Sequence, residues 1–537
     1  MCGIFACFGG KCDRREAVEN AHKQNHRGPD DFCCLEVTGG LFCFNRLNIM
    51  DQTDMGRQPF VYQEYTAMTN GEIYNHKSLE AEFGIQNRGN SDCELIPQLF
   101  SKIGEKLPKR LDGMFATVVI NNKTGELFIT RDHIGIIPLY WGTDTEGRLY
   151  IASEQKCLVD VCEVVEIFPP RMYYHGPPKM GKLKQWYFMD WTPQVYAVED
   201  EEKVYDRIYD GMYKAVAKMI PCDSPNGFLL SGGLDSSLVA ALARRILGPE
   251  HELHTFTIGL ENAPDFKFAR AVSAHIGSIH HEFIYTLQEG IDSIPQVIHK
   301  IETFNATTIR SSTPQYLMSK KIAARGFKMV MSGEGADEAW GGYLYFHYAP
   351  NDEEFHEEMK DKLADLHYYD CLRTNKSMLA SGVEVRVPFL DPDLLDIAMT
   401  IPVKMKHPNF IKYEGRPIEK GVLRKACDRD NLLPKSVLWR QKEQFSDSVG
   451  YDWIDGLKQY YKNTGTTEEQ FNMSMYEKYN FSMTTVKTGK SVACSTPRGA
   501  SWMPEGTAND ESGRSVRAVH QSTTSAAEKQ EIICGDE

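Results

Sequence analysis

The sequence predicts a chain of mixed class, α+β over residues 2–195 and α/β with a parallel sheet over residues 205–455. Three observations carry this. The first region is filled with short strand-like runs broken by turns. The second alternates apolar strands with helices. A polar stretch around residues 190–204 separates them.

In the first region, residues 40–44, 115–120 and 126–130 read as strands, and Asn122-Lys123-Thr124-Gly125 reads as a hairpin turn. Residues 94–103 read as a helix between strands. Asp190-Trp191-Thr192-Pro193 through Glu199-Asp200-Glu201-Glu202 reads as a linker, running into a helix from about residue 203 to 219. Residues 227–230 form the next strand, followed by a glycine turn and a helix over 237–247. Residues 254–258 and 328–331 are further strands, and this alternation is the pattern of a parallel sheet covered by helices. No repeat of 20–50 residues is present. The apolar pattern weakens toward the end, and residues 504–537 are rich in Ser, Thr, Gly, Glu and Asp. A weakly ordered tail is expected over 456–537.

Composition narrows the function. With 537 residues the chain can bury more than one core. Its net charge of −14 argues against a surface that coats nucleic acid, because phosphate binding needs clustered Lys and Arg. A small basic nucleotide pocket is still allowed. Residues 1–20 hold no apolar stretch of signal-peptide length, and no run approaches the roughly 18–20 apolar residues that span a bilayer. A cytoplasmic chain with no membrane and no nucleic-acid partner is expected. Its fourteen cysteines are expected to be reduced thiols, and none shows structural zinc spacing.

Two loops carry nucleotide chemistry. Ser231-Gly232-Gly233-Leu234-Asp235-Ser236-Ser237 follows a strand and opens a helix, so glycine amides and the helix N-terminus face an anion together. Shape alone also fits a plain strand–helix turn, and the loop is not a Walker A motif. The string SGGxDS is that of the pyrophosphate loop of ATP pyrophosphatases. Asp235 is then a candidate Mg²⁺ ligand, since magnesium takes one or two carboxylates plus phosphate oxygens; a helix-terminal acid favoured by the dipole is the plain alternative. Ser332-Gly333-Glu334-Gly335-Ala336-Asp337-Glu338 ends another strand, where open α/β sheets bind ligands. There Glu334 is a candidate base and Asp337 a second metal ligand.

The chain resembles the glutamine-hydrolysing asparagine synthetases over roughly residues 2–455. The resemblance rests on an ordered set of strings: Met1-Cys2-Gly3-Ile4, His26-Arg27-Gly28-Pro29-Asp30, Arg46-Leu47-Asn48-Ile49-Met50-Asp51, Asn70-Gly71-Glu72-Ile73-Tyr74-Asn75 and Ser91-Asp92-Cys93-Glu94. Arg131-Asp132 and residues 135–140 continue it. Thr307-Thr308-Ile309-Arg310, Gly341-Gly342-Tyr343, residues 384–391 and residues 439–445 complete it. It implies an αββα glutaminase sandwich of the N-terminal-nucleophile type over 2–195, an ATP-pyrophosphatase synthetase domain over 205–455, and a channel for ammonia between them. A homodimer is possible.

The resemblance also implies roles. Loss of Met1 would give Cys2 a free α-amine, with an ordinary pKa of about 7.7–8.0, to take the thiol proton. The thiolate would attack the glutamine amide. Arg46 would hold the glutamine α-carboxylate and Asp92 its ammonium, with Leu47, Asn48, Ile49, Met50 and Glu72 completing the pocket. Asn70 and Gly71 would donate to the oxyanion, although Asn-Gly also favours a tight turn. ATP would lie across Leu230, Ser231, Gly232, Gly233, Asp235, Ser236 and Ser237, flanked by Ile258, Ser332 and Gly333. Mg²⁺ would sit on Asp235 and Asp337. Aspartate would be adenylated to β-aspartyl-AMP with Arg310 and Lys442 balancing phosphate charge, and ammonia would displace AMP to give asparagine.

Three departures from the family stand out. Asn305 replaces an expected Asp, Tyr348 replaces an expected Lys, and a helical stretch after about residue 480 is shortened. The loops fit two alternatives: a related ATP-dependent synthetase forming an amide or lactam on another carboxylate, and a catalytically reduced regulatory paralogue. An amidotransferase feeding a phosphoribosyl or sugar-phosphate acceptor fits less well, since it needs no ATP cleavage.

Overall fold

A computed structural model describes residues 1–10, 12–193, 201–442, 445–450, 452–487 and 496–503. The first region builds two six-stranded antiparallel sheets. One runs in the order Val164–Ile167, Tyr140–Thr143, Leu149–Ala152, Gly3–Phe8, Gly40–Arg46, Asp31–Val37. The other runs Lys184–Gln185, Met172–Gly176, Leu127–Arg131, Gly113–Asn121, Tyr65–Ile73, Phe60–Tyr62. Alternation along the strands divides the side chains between two faces. Ile4, Ala6, Phe8, Phe42 and Phe44 meet Met68, Ala116, Val118 and Ile129 between the sheets. Phe5, Cys7, Leu41 and Cys43 turn outward onto Ala17 and Ala21 of helix Arg14–His22. Phe115, Val119 and Phe128 turn outward onto Leu95, Leu99 and Phe100 of helix Leu95–Ile103. Helix, sheet, sheet and helix are thus stacked as an αββα sandwich. Cys34 and Cys43, opposite each other on neighbouring strands with Cα atoms 4.1 Å apart, form a disulfide, unlike the reduced state expected for them.

The second region holds a five-stranded sheet, ordered Ile279–Ile284, His254–Gly259, Asn226–Leu229, Met329–Met331, Glu384–Arg386, with every neighbouring pair parallel. The chain starts in the middle of this sheet and winds first to one side, then to the other. Its switch point lies between Asn226–Leu229 and Met329–Met331, and the crevice beyond their carboxyl ends is where such sheets bind ligands.

The two regions are locked by buried charge. Arg386 pairs with Glu72 at 2.9 Å, and Glu384 takes the Met1 amine. Arg27 donates to the Cys2 carbonyl (2.9 Å), to Glu154 (3.0 Å) and to Asn375 (3.0 Å). Glu302 binds Lys156 at 3.0 Å and also Lys376. Removing one partner of such a pair leaves an uncompensated buried charge, which costs about 3–5 kcal/mol.

Beyond residue 455 the structure corrects the expected tail. Asp452–Thr464 and Glu468–Lys478 are helices. Trp453, Ile454, Leu457, Tyr461 and Tyr476 are buried against the synthetase region, and Trp453 donates to the Arg310 carbonyl at 3.0 Å. Their other faces are polar, so a few anchors hold helices whose composition reads as weak. Linker residues 194–200 and tail residues 504–537 lie outside the described residues, as do residues 488–495 of the shortened stretch. Among the described residues no helix is long and apolar enough to cross a membrane.

Lys406 gives the fold a pH dependence. Its ammonium is fully buried, donates to the Ala398 carbonyl at 2.7 Å, and burial lowers its pKa from 10.5 to about 7. Between about pH 7 and 10.5 the unfolded chain holds a proton on this group that the folded chain does not. Stability therefore rises with pH in that window, by up to about 1.4 kcal/mol per unit. Urea unfolding at pH 7 and pH 9 should show a steeper rise for the parent chain than for Lys406→Met; equal slopes would refute this assignment.

Candidate functional site

The first site forms where the Gly3–Phe8 strand begins. The Cys2 backbone N donates to Asn70 Oδ1 at 2.7 Å, and Cys2 Sγ accepts from the Leu47 N–H at 3.4 Å. Burial pushes the Cys2 thiol up, against the pull of the neighbouring amine. Asn70, Gly71 and Glu72 follow one another on strand Tyr65–Ile73. Gly71 has φ +144°, and a Cβ there would lie 1.9 Å from the Met114 carbonyl oxygen, so no side chain fits. Asp92 accepts from Ile73 N at 2.7 Å, and burial raises its carboxyl. Glu72 is raised well above the carboxylate range by burial and by Glu384, with Arg386 opposing.

Residues 46–51 wrap this site. Arg46 donates to the carbonyls of Thr53 (2.9 Å) and Asp51, which shapes the loop that carries Leu47 to Met50. Asn48 N donates to Asp30 at 2.8 Å, and the Asn48 side-chain oxygen is buried without a hydrogen-bond partner. The second region holds the same loop from outside. Asp51 N donates to Asp223 (2.8 Å), and Ser224 Oγ donates to the Asn48 carbonyl (2.7 Å).

The second site is a cavity at the sheet's switch point. Leu230, Ser231, Gly233, Asp235, Ser236 and Ile258 line it, with Ser332, Gly333, Glu334, Asp337 and Lys442 opposite. A Cβ on Gly333 would fall 2.6 Å from Ser236 N, so only glycine lets the two strand-end loops touch. The acids converge on cations. Lys420 Nζ lies 2.7 Å from both Asp235 oxygens and 2.7 Å from Asp337, and Lys442 lies 2.6 Å from Asp337. Burial alone raises Asp337, but Lys420 and Lys442 outweigh it and hold it well below the usual range. Glu334 binds Arg373 and accepts from Thr374 Oγ1 at 2.8 Å, and burial raises its carboxyl.

Not every expected residue reaches the cavity. Gly232 and Ser237 belong to the loop but do not line it. Arg310, expected to balance phosphate charge, also stands outside the lining; its guanidinium is paired with Glu468 on helix Glu468–Lys478. Asn305 caps helix Ala306–Ala323 by accepting from Thr308 N at 2.9 Å, a task Asn performs as well as Asp. Tyr348 ends the short turn Leu344–Tyr348 and packs against the core. Sequence reading gave no role to Lys420, Arg373, Glu384 or Arg386. The strings holding the last two were visible, but the partners are far away in the chain.

A sandwich headed by Cys2, joined to a parallel-sheet domain with a phosphate loop and paired acids, defines a glutamine amidotransferase fused to an ATP-using synthetase. Family comparisons agree. The glutamine amidotransferase domain model matches residues 1–172, and the asparagine synthase model matches 207–357 and 348–482. The chain is 44% identical to asparagine synthetase [glutamine-hydrolyzing] 2 of Arabidopsis thaliana, covering 97% of this chain and 95% of that one. It is 42% identical to asparagine synthetase B [glutamine-hydrolyzing] of Escherichia coli (strain K12), covering 97% and 100%, and 42% identical to the Zea mays enzyme, covering 98% and 94%. The chain belongs to the glutamine-hydrolysing asparagine synthetase family.

Proposed function

We propose that this chain makes asparagine from aspartate, glutamine and ATP, releasing glutamate, AMP and pyrophosphate. The observation that carries this reading is the strand Glu384–Arg386. It belongs to the synthetase sheet, yet its Arg386 pairs at 2.9 Å with Glu72 of the glutaminase site, a contact that does not depend on Met1. The two sites are therefore built as one assembly.

At the first site, loss of Met1 turns the Cys2 backbone nitrogen into an amine, already 2.7 Å from Asn70 Oδ1. That amine takes the thiol proton while Sγ attacks the glutamine amide carbon. The amine passes that proton to the amide nitrogen as the C–N bond breaks, ammonia leaves, and water hydrolyses the thioester to glutamate. Gly71 and Asn70 face the oxyanion, Asp92 takes the glutamine ammonium, and Arg46 shapes the loop as well as attracting the α-carboxylate.

At the second site, an aspartate side-chain oxygen attacks the α-phosphorus and pyrophosphate leaves. The donor set suits a divalent cation, because two carboxylates, Asp235 and Asp337, already converge on one ammonium. Mg²⁺ held by them would neutralise the leaving pyrophosphate. Lys442 and Lys420 add fixed positive charge. Ammonia then attacks the acyl carbon, AMP departs, and Glu334, with its raised carboxyl pKa, accepts the ammonia proton. A cytoplasmic location belongs to the same reading, and so does the absence of a nucleic-acid partner, which the net charge of −14 supports.

Mass spectrometry of a reaction with glutamine, aspartate and Mg-ATP should find asparagine, glutamate, AMP and pyrophosphate in equal amounts. ADP as the nucleotide product would sink the proposal. Preference for another acid over aspartate would move it to a related synthetase.

A further inference from the structure

Helix Ala306–Ala323 closes one side of the nucleotide cavity with Gln315 and Met318, one turn apart. Gln315 is only 5% exposed, and its side-chain carbonyl oxygen has no hydrogen-bond partner. Native structures rarely leave such an atom buried and unpaired without a reason. The two sites as described above give this atom no task.

Its surroundings indicate what it meets. The helix lies against strand His254–Gly259, whose Phe256 and Ile258 line the same cavity. With Met318 they make an apolar wall, which suits a flat base. Four of the charged lining groups, Asp235, Asp337, Lys420 and Lys442, pair with one another around the two strand-end loops, which suits phosphates. A nucleotide laid along this gradient turns its base toward the helix. A glutamine amide pairs with adenine by accepting from the 6-amino group and donating to a ring nitrogen.

We infer that Gln315 reads the adenine of ATP, its side-chain oxygen accepting from the exocyclic 6-amino group. This rests on the cavity being the ATP site. Without that amino group the Gln315 carbonyl stays unpaired, so binding weakens by about tenfold.

Isothermal titration with ATP, with purine riboside triphosphate (which lacks the 6-amino group) and with inorganic pyrophosphate tests this. The parent chain should bind ATP about tenfold more tightly than the analogue. In Gln315→Met and Gln315→Leu that ratio should fall to about one, with pyrophosphate binding unchanged. Equal binding of the two nucleotides by the parent chain, or a ratio that survives either substitution, would overturn the assignment. A parent chain that binds neither ATP nor pyrophosphate would instead overturn the reading of the cavity.

Discussion

Cys2→Ala should abolish glutamine-dependent asparagine formation, by about 10³-fold or more, while ammonia-dependent formation stays within about twofold. The first half follows because the attack on the amide rests on the Cys2 thiol, which accepts from the Leu47 N–H at 3.4 Å. The second half follows from separation. Sγ contacts the Leu47 backbone, and no cavity-lining residue belongs to the glutaminase region. Parallel assays with glutamine and with ammonium chloride check both. Equal loss with the two donors would mean that Cys2 supports the synthetase fold rather than glutamine cleavage.

Asp235→Asn should give the complementary result. Both oxygens of Asp235 hold Lys420, and the same ammonium holds Asp337. The amide removes one negative charge from this cluster and leaves Lys420 with half its counter-charge. Synthesis from either nitrogen donor should drop by about 10²–10³-fold, because activation of aspartate precedes both. Glutamate release from glutamine should continue, since Cys2 and its partners are untouched. Pyrophosphate and glutamate release, measured side by side, check this. Pyrophosphate release at the parent rate would remove Asp235 from the chemistry.

Much of the fold is legible in local pattern. The runs at 115–120 and 254–258 are strands because apolar β-formers are bounded by turn residues, and the Ser231 loop declares itself through its glycines. What local pattern does not contain is long-range electrostatics. Lys420 lies 185 residues from Asp235, and Arg386 lies 314 residues from Glu72, so no window of sequence shows either pair. Arg310 sits in a string typical of the synthetase region, yet its partner Glu468 comes from a helix that composition had dismissed. That helix, Glu468–Lys478, buries Asn472 and Tyr476 and half-buries Phe471 and Met475, too little apolar surface to register as periodicity.

Met1 imposes a schedule on the enzyme. The residue is 2% exposed, and its amine is sealed against Glu384, 383 residues further on. An aminopeptidase needs the first residues extended and accessible, and the docked chain offers neither. Removal of Met1 is therefore expected before its amine docks on Glu384. The contact that holds the untrimmed N-terminus in the core is thus the one that keeps Cys2 from having a free amine.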